Sequence, residues 1–185
     1  MRVVDTVIPA LWIVFWLYWL AAAAGAKRVR SDSSRYSGVG IRVVVILLVL
    51  LLLRTNVLRR ASGASNDPLL QGVGLAIFVL GLSTAVWARV YLGRNWGTPM
   101  SEKVDPELVT TGPYRYVRHP IYTGLILAMV GTALALSVYW LVAAAVLGAY
   151  LVYSATVEDR MMARLFPAAY PAYQRSTKML IPFLL

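Results

Sequence analysis

Five stretches of this chain are apolar for about the length of a membrane crossing: residues 7–24, 39–58, 69–92, 121–136 and 138–157. A helical span takes about 20 apolar residues, with a range of about 17–25. The first, third and fifth stretches meet that length. The second has a pure apolar core only from Val43 to Leu53, between Arg42 and Arg54. It crosses if both arginines snorkel to opposite interfaces. The fourth is short and meets the fifth at Ser137, which predicts a tight helical hairpin. The expected fold is therefore all-α, a polytopic membrane protein of about five transmembrane helices.

Composition agrees. The chain is 59% hydrophobic and only 14% charged, whereas a soluble domain carries about a quarter charged residues. With no cysteine and one histidine, His119, it offers neither a disulfide framework nor a thiolate or His-rich metal centre. The net charge of +10 does not indicate nucleic acid, because the basic residues flank the apolar runs as membrane anchors do.

The first stretch is longer than the core of a signal peptide and carries Trp12, Trp16 and Trp19. It reads as a retained anchor with its N-terminus outside. With five spans, 14 of the 18 basic residues fall on one side, leaving Arg2, Arg54, Arg59 and Arg60 on the other. The positive-inside rule makes the richer side cytosolic. That side holds the loop 93–120 and the tail 158–185, so the C-terminal region faces the cytosol. Small residues recur every four positions within the spans: Gly81 and Ala85; Gly124, Ala128 and Thr132; Ala144 and Gly148. Such stripes let helix backbones approach closely in lipid.

Polar, chemistry-bearing residues are concentrated in that loop and tail. Pro120 suits the first turn of the fourth helix, where its missing N–H costs nothing. The helix start, with Arg115, Arg118 and His119 beside it, suits an anion. Glu158 and Asp159, placed where the fifth span ends, suggest a charged partner, since acids gain nothing from the positive-inside bias.

The run Gly112-Pro113-Tyr114-Arg115-Tyr116-Val117-Arg118-His119-Pro120-Ile121-Tyr122-Thr123-Gly124 resembles the signature of the isoprenylcysteine carboxyl methyltransferase family, much of which the phospholipid methyltransferases share. Glu158, Asp159, Phe166, Tyr170, Tyr173, Ile181 and Pro182 resemble its second block, and Gly93-Arg94-Asn95-Trp96 also fits. The likeness covers about residues 70–185. It divides the chain into an N-terminal part, 1–68, with the first two spans, and a methyltransferase core, 69–185. Asp159, Pro167 and Ser176 depart from the usual Glu, Gly and basic residue.

The resemblance implies S-adenosylmethionine as cofactor, methyl transfer to the carboxylate of a lipid-like or prenylated substrate entering from the bilayer, and a site that needs no metal. It implies cofactor contacts from Tyr114, Arg118, His119, Pro120, Tyr122, Gly124, Glu158 and Asp159. Arg164 or Arg175 would orient the substrate carboxylate by a bidentate fork. A carboxylate is ionised at neutral pH and needs no base. Acceptors such as an amino lipid, thiol or hydroxyl would need Glu158 or His119 as one. A sterol-reductase-like enzyme binding NADPH, and a non-catalytic membrane scaffold, are the rival classes.

Overall fold

A computed structural model describes residues 2–25, 40, 43–45, 47, 67–97 and 105–182. Among these it contains α1 (Val3–Ala23), α2 (Pro68–Leu92), α3 (Pro120–Leu136), α4 (Trp140–Leu165) and the short α5 (Tyr170–Ser176). Single 3-10 turns, Gly93–Asn95 and Gly112–Arg115, flank the loop between α2 and α3. The described residues form no named strand; one isolated bridge joins Val117 to Lys178.

The expected first, third and fifth spans are α1, α2 and α4, each long and apolar enough to cross a membrane. The fourth forms the shorter α3 of 17 residues. Most of the second, 39–58, lies outside the described residues. The protein is an integral membrane protein, its apolar helix faces turned outward: Leu17, Leu20, Leu69 and Val90 are all more than 60% exposed.

The ends of these helices follow from sequence. Asp67 caps α2 by accepting from Leu69 N–H at 2.9 Å, and Pro68 fills the first turn. Gly93 closes the helix with φ +53°, a conformation that glycine adopts without steric cost. Ser137 separates α3 from α4 in extended conformation, as the hairpin reading requires. One boundary differs from expectation. Helix α4 runs on to Leu165, so Glu158 and Asp159 lie inside it rather than at its end. Arg160, Met161, Met162 and Ala163 are all good helix formers, so the helix continues past the apolar run.

The closest packing joins α2 to α3. A Cβ on Gly81 would meet the Ala128 backbone nitrogen at 2.4 Å, and one on Gly131 would meet that of Phe78 at 2.3 Å. The stripes of small residues on α2 and α3 are thus a backbone-to-backbone contact, whereas Gly148 of the α4 stripe has only Ile126 near it. Helix α1 is held differently. Arg89 of α2, 4% exposed, donates to the carbonyls of Gly93 at 2.7 Å and Ala22 at 2.6 Å. Its guanidinium lies 4.7 Å from the Trp96 ring centre, and Trp96 meets Trp19 edge-on. One cation thereby ties the C-terminal ends of two helices.

Candidate active site

The N-terminus of α3, the inner face of α4 and the tail converge on one buried cluster. Two backbone bonds dock the tail onto the motif loop, Arg118 N–H to Lys178 O at 2.9 Å and His119 N–H to Met179 O at 3.0 Å. The Thr123 hydroxyl adds a bond to Leu180 O at 2.6 Å. In the loop, Gly112 has φ +59° and its missing side chain leaves room for the Tyr91 ring, which a Cβ would meet at 2.3 Å.

Asp159 is the hub. Its carboxylate accepts from Arg118 Nη2 at 2.8 Å and Nε at 3.1 Å, from His119 Nε2 at 2.8 Å, and from the Tyr170 hydroxyl. The remaining Arg118 nitrogen donates to the carbonyls of Gln174 and Thr177. Burying a carboxylate is costly unless it is paired and hydrogen-bonded, and here three side chains, two from the motif loop and one from the tail, supply that pairing. Glu158, one residue earlier on α4, accepts from the Tyr122 hydroxyl at 2.6 Å and lies 3.5 Å from His119 Nδ1. The His119 ring stacks on Tyr122 with an interplanar angle of 4°.

His119 therefore sits between two carboxylates. Burial alone would lower its pKa, but the hydrogen bonds to Asp159 and Glu158 and their charges outweigh this and raise it. In the imidazolium form both ring nitrogens donate. Burial, with the neighbouring Tyr173 and Glu158, raises the Tyr114 phenol well above its usual value. Burial likewise pushes Tyr173 up to about 12. Both phenols are thus fixed donors: Tyr114 to Ala88 O at 3.3 Å, Tyr173 to Tyr114 O at 2.6 Å.

A cavity of about 780 Å³ opens beside the cluster, within the range of small-molecule sites, ~300–1,000 Å³. Its polar end is lined by Tyr114, Arg118, His119, Tyr122, Glu158 and Tyr173. The rest is mostly apolar, and α1 contributes Trp12, Trp16 and Trp19 to it. At the rim, Asn95 Nδ2 donates to Glu107 at 3.2 Å, which leaves its Oδ1 buried without a hydrogen-bond partner.

Of the residues singled out from sequence, the structure brings Tyr114, Arg118, His119, Tyr122 and Glu158 to the cavity wall. Asp159 stands behind them, as described above. Pro120 is fully buried at the start of α3. Gly124 is in the helix contact, its absent Cβ facing Gly81 O at 2.6 Å, and is not among the lining residues. Arg115, Arg164 and Arg175 are exposed and do not line the cavity. The α1 tryptophans and Asn95 complete the wall. An indole face repeating at i, i+4 and i+7 was the available signal for the former.

The phospholipid methyltransferase family matches residues 70–169. The cobalt-zinc-cadmium resistance protein CzcN of Cupriavidus metallidurans is 31% identical over 163 residues, which is 86% of this chain and 70% of that protein. The nickel-cobalt-cadmium resistance protein NccN of Alcaligenes xylosoxydans xylosoxydans is 32% identical over 120 residues, and the match spans 54% of its length. In fold, the chain is similar to a eukaryotic intramembrane Ras methyltransferase, isoprenylcysteine carboxyl methyltransferase. The TM-score is 0.59 at 24% identity, covering 96% of this chain and 64% of that one. The family match takes in the motif loop, α3, α4 and the Glu158–Asp159 pair, and stops one residue short of Tyr170. This chain belongs to the phospholipid methyltransferase family.

Proposed function

We propose that the protein transfers a methyl group from S-adenosylmethionine to a lipid-like acceptor that enters from the bilayer. The observation that carries this reading is the two-ended cavity, polar at Glu158, His119 and Tyr122 and apolar along α1, α3 and α4. The donor set fits the cofactor. Glu158 accepts from its ammonium or ribose, and the imidazolium of His119 and the start of α3 complement its carboxylate. Tyr114 and Tyr122 pack against the adenosine, and the unpartnered Oδ1 of Asn95 offers an acceptor at the rim. Arg118 at the wall and Asp159 behind it hold His119 and the tail in place.

The cofactor supplies a methyl group already activated on a sulfonium. The chain's task is to hold the acceptor atom in line with that carbon and to keep water out. Such alignment supplies roughly 7–11 kcal/mol. A carboxylate acceptor needs no base, and this is the reading closest to the isoprenylcysteine enzymes. An amine acceptor is the second reading. It is favoured by the exposure of Arg164 and Arg175 and by the presence of Glu107 and Glu158 in the wall. There Glu158 takes the proton. The orientation follows from charge, with the motif loop and tail in the cytosol, where the cofactor is found.

Purified protein in detergent tests the reading. S-adenosylhomocysteine raises the melting temperature, because a ligand of the folded state stabilises it by mass action. Radiolabelled S-adenosylmethionine then distinguishes alkyl carboxylate, amine, thiol and alcohol acceptors of matched tail. A shift with NADPH and none with S-adenosylhomocysteine overturns it in favour of a reductase.

A further inference from the structure

The apolar end of the cavity has a floor. Trp12 Nε1 donates to Thr132 Oγ1 at 3.1 Å, joining α1 to α3, and the Thr132 hydroxyl donates in turn to Ala128 O at 2.8 Å. Both residues line the cavity, and on their helices they are the lining residues farthest from its polar end. Trp140, at the start of α4, lines the same end. Trp12 sits near the middle of α1, far from the headgroup level where tryptophan belts lie. An indole N–H at that depth is costly to leave unpaired, so the bond to buried Thr132 fixes the ring. Phe15, Trp16 and Phe78 pack around it, with ring centres within 6.3 Å.

Leu125 and Met129 of α3 and Ala143, Ala144 and Leu147 of α4 line the wall above the floor. From His119 to Thr132 the helix rises about 20 Å, at ~1.5 Å per residue.

We infer that the Trp12–Thr132 contact is a tail-length stop: the acceptor's apolar chain runs toward it for at most about 20 Å, and Trp12 determines the longest chain accepted. This rests on the methyl-transfer reading above and adds the reach of the substrate's tail to it.

The test uses the full chain in nanodiscs, saturated with S-adenosylhomocysteine, and two series of probes, n-alkyl carboxylates and n-alkylamines of increasing length. Affinity rises about fourfold per added methylene until the tail reaches about 20 Å, then falls. The turning point comes at the same length for both head groups, because a floor reads only the tail. Trp12→Ala moves it to longer tails. Thr132→Val, which removes the hydrogen bond while keeping the volume, and Trp12→Phe, which removes it together with part of the indole's bulk, blunt the fall beyond it. S-adenosylhomocysteine affinity, read separately, shows that each variant is folded; if Trp12→Ala is not, the two milder variants decide. Cofactor binding with no turning point, or with one that no variant alters, overturns the stop and leaves the methyl-transfer reading standing. Failure of the unmodified protein to bind S-adenosylhomocysteine overturns both.

Discussion

Nε2 of His119 stands 2.8 Å from Oδ1 of Asp159, across 40 residues of chain. This bond, with those from Arg118 and Tyr170 to the same carboxylate, joins the motif loop, α4 and the tail. Asp159→Asn keeps the size but leaves Arg118 without its counter-charge and His119 with Glu158 alone. Breaking a buried pair costs about 3–5 kcal/mol, so the melting temperature falls by on the order of 10 °C. A thermal melt of the variant in detergent measures it.

The same pairing makes stability depend on pH. His119 has a folded-state pKa above its ordinary 6.5. Its contribution is therefore fully present below about 6.5 and is lost as pH rises through the raised value. Melting temperatures recorded from about pH 6 to about pH 9 decline for the unmodified protein. His119→Gln, which cannot titrate, flattens that decline.

Glu158→Gln separates recognition from architecture. Glu158 receives the Tyr122 hydroxyl at 2.6 Å, a bond that the amide oxygen of Gln can still accept. The lost charge removes about 1.5–3 kcal/mol from a charge-assisted contact with the cofactor. S-adenosylhomocysteine affinity drops about ten- to over a hundredfold, while the variant inserts normally. Isothermal titration gives the answer, and an unchanged dissociation constant removes Glu158 from the cofactor site.

Gly124 tests the opposite case. A Cβ there meets Ala85 N at 2.6 Å and Gly81 O at 2.6 Å. Gly124→Val drives α2 and α3 apart, a clash with backbone that no rotamer relieves. Detergent-solubilised protein loses its cooperative melt and its monodisperse elution, with no selective loss of cofactor affinity before unfolding.

Orientation is open to labelling, because the chain has no cysteine. Ser176 is exposed at the end of α5. A single cysteine there stays unlabelled by an impermeant thiol reagent in intact cells and reacts after lysis. Labelling of intact cells reverses the assigned orientation.

Much of the fold was legible because lipid imposes a simple rule on sequence. Four of the five apolar runs became α1, α2, α3 and α4, and the small-residue stripes of α2 and α3 became the contact between those helices. Local signals also placed Pro120 and the turn at Ser137. The site was legible as a set of residues but not as a set of partnerships. Nothing in the spacing told that Arg118 would spend its donors on Asp159 and two tail carbonyls, leaving Glu158 to face the cavity. Those choices depend on how the tail docks. The end of α4 was misplaced because the helix outlasts its hydrophobicity. The tryptophans of α1 looked like an anchor because their cavity-facing side is defined only by α3 and α4.

Arg89 has a consequence for how such a protein can diversify. It grips α1 through the main-chain carbonyl of Ala22, a group that any residue would present. The clasp therefore does not read the side chain at that point: a substitution at Ala22 leaves the grip of Arg89 on the end of α1 in place.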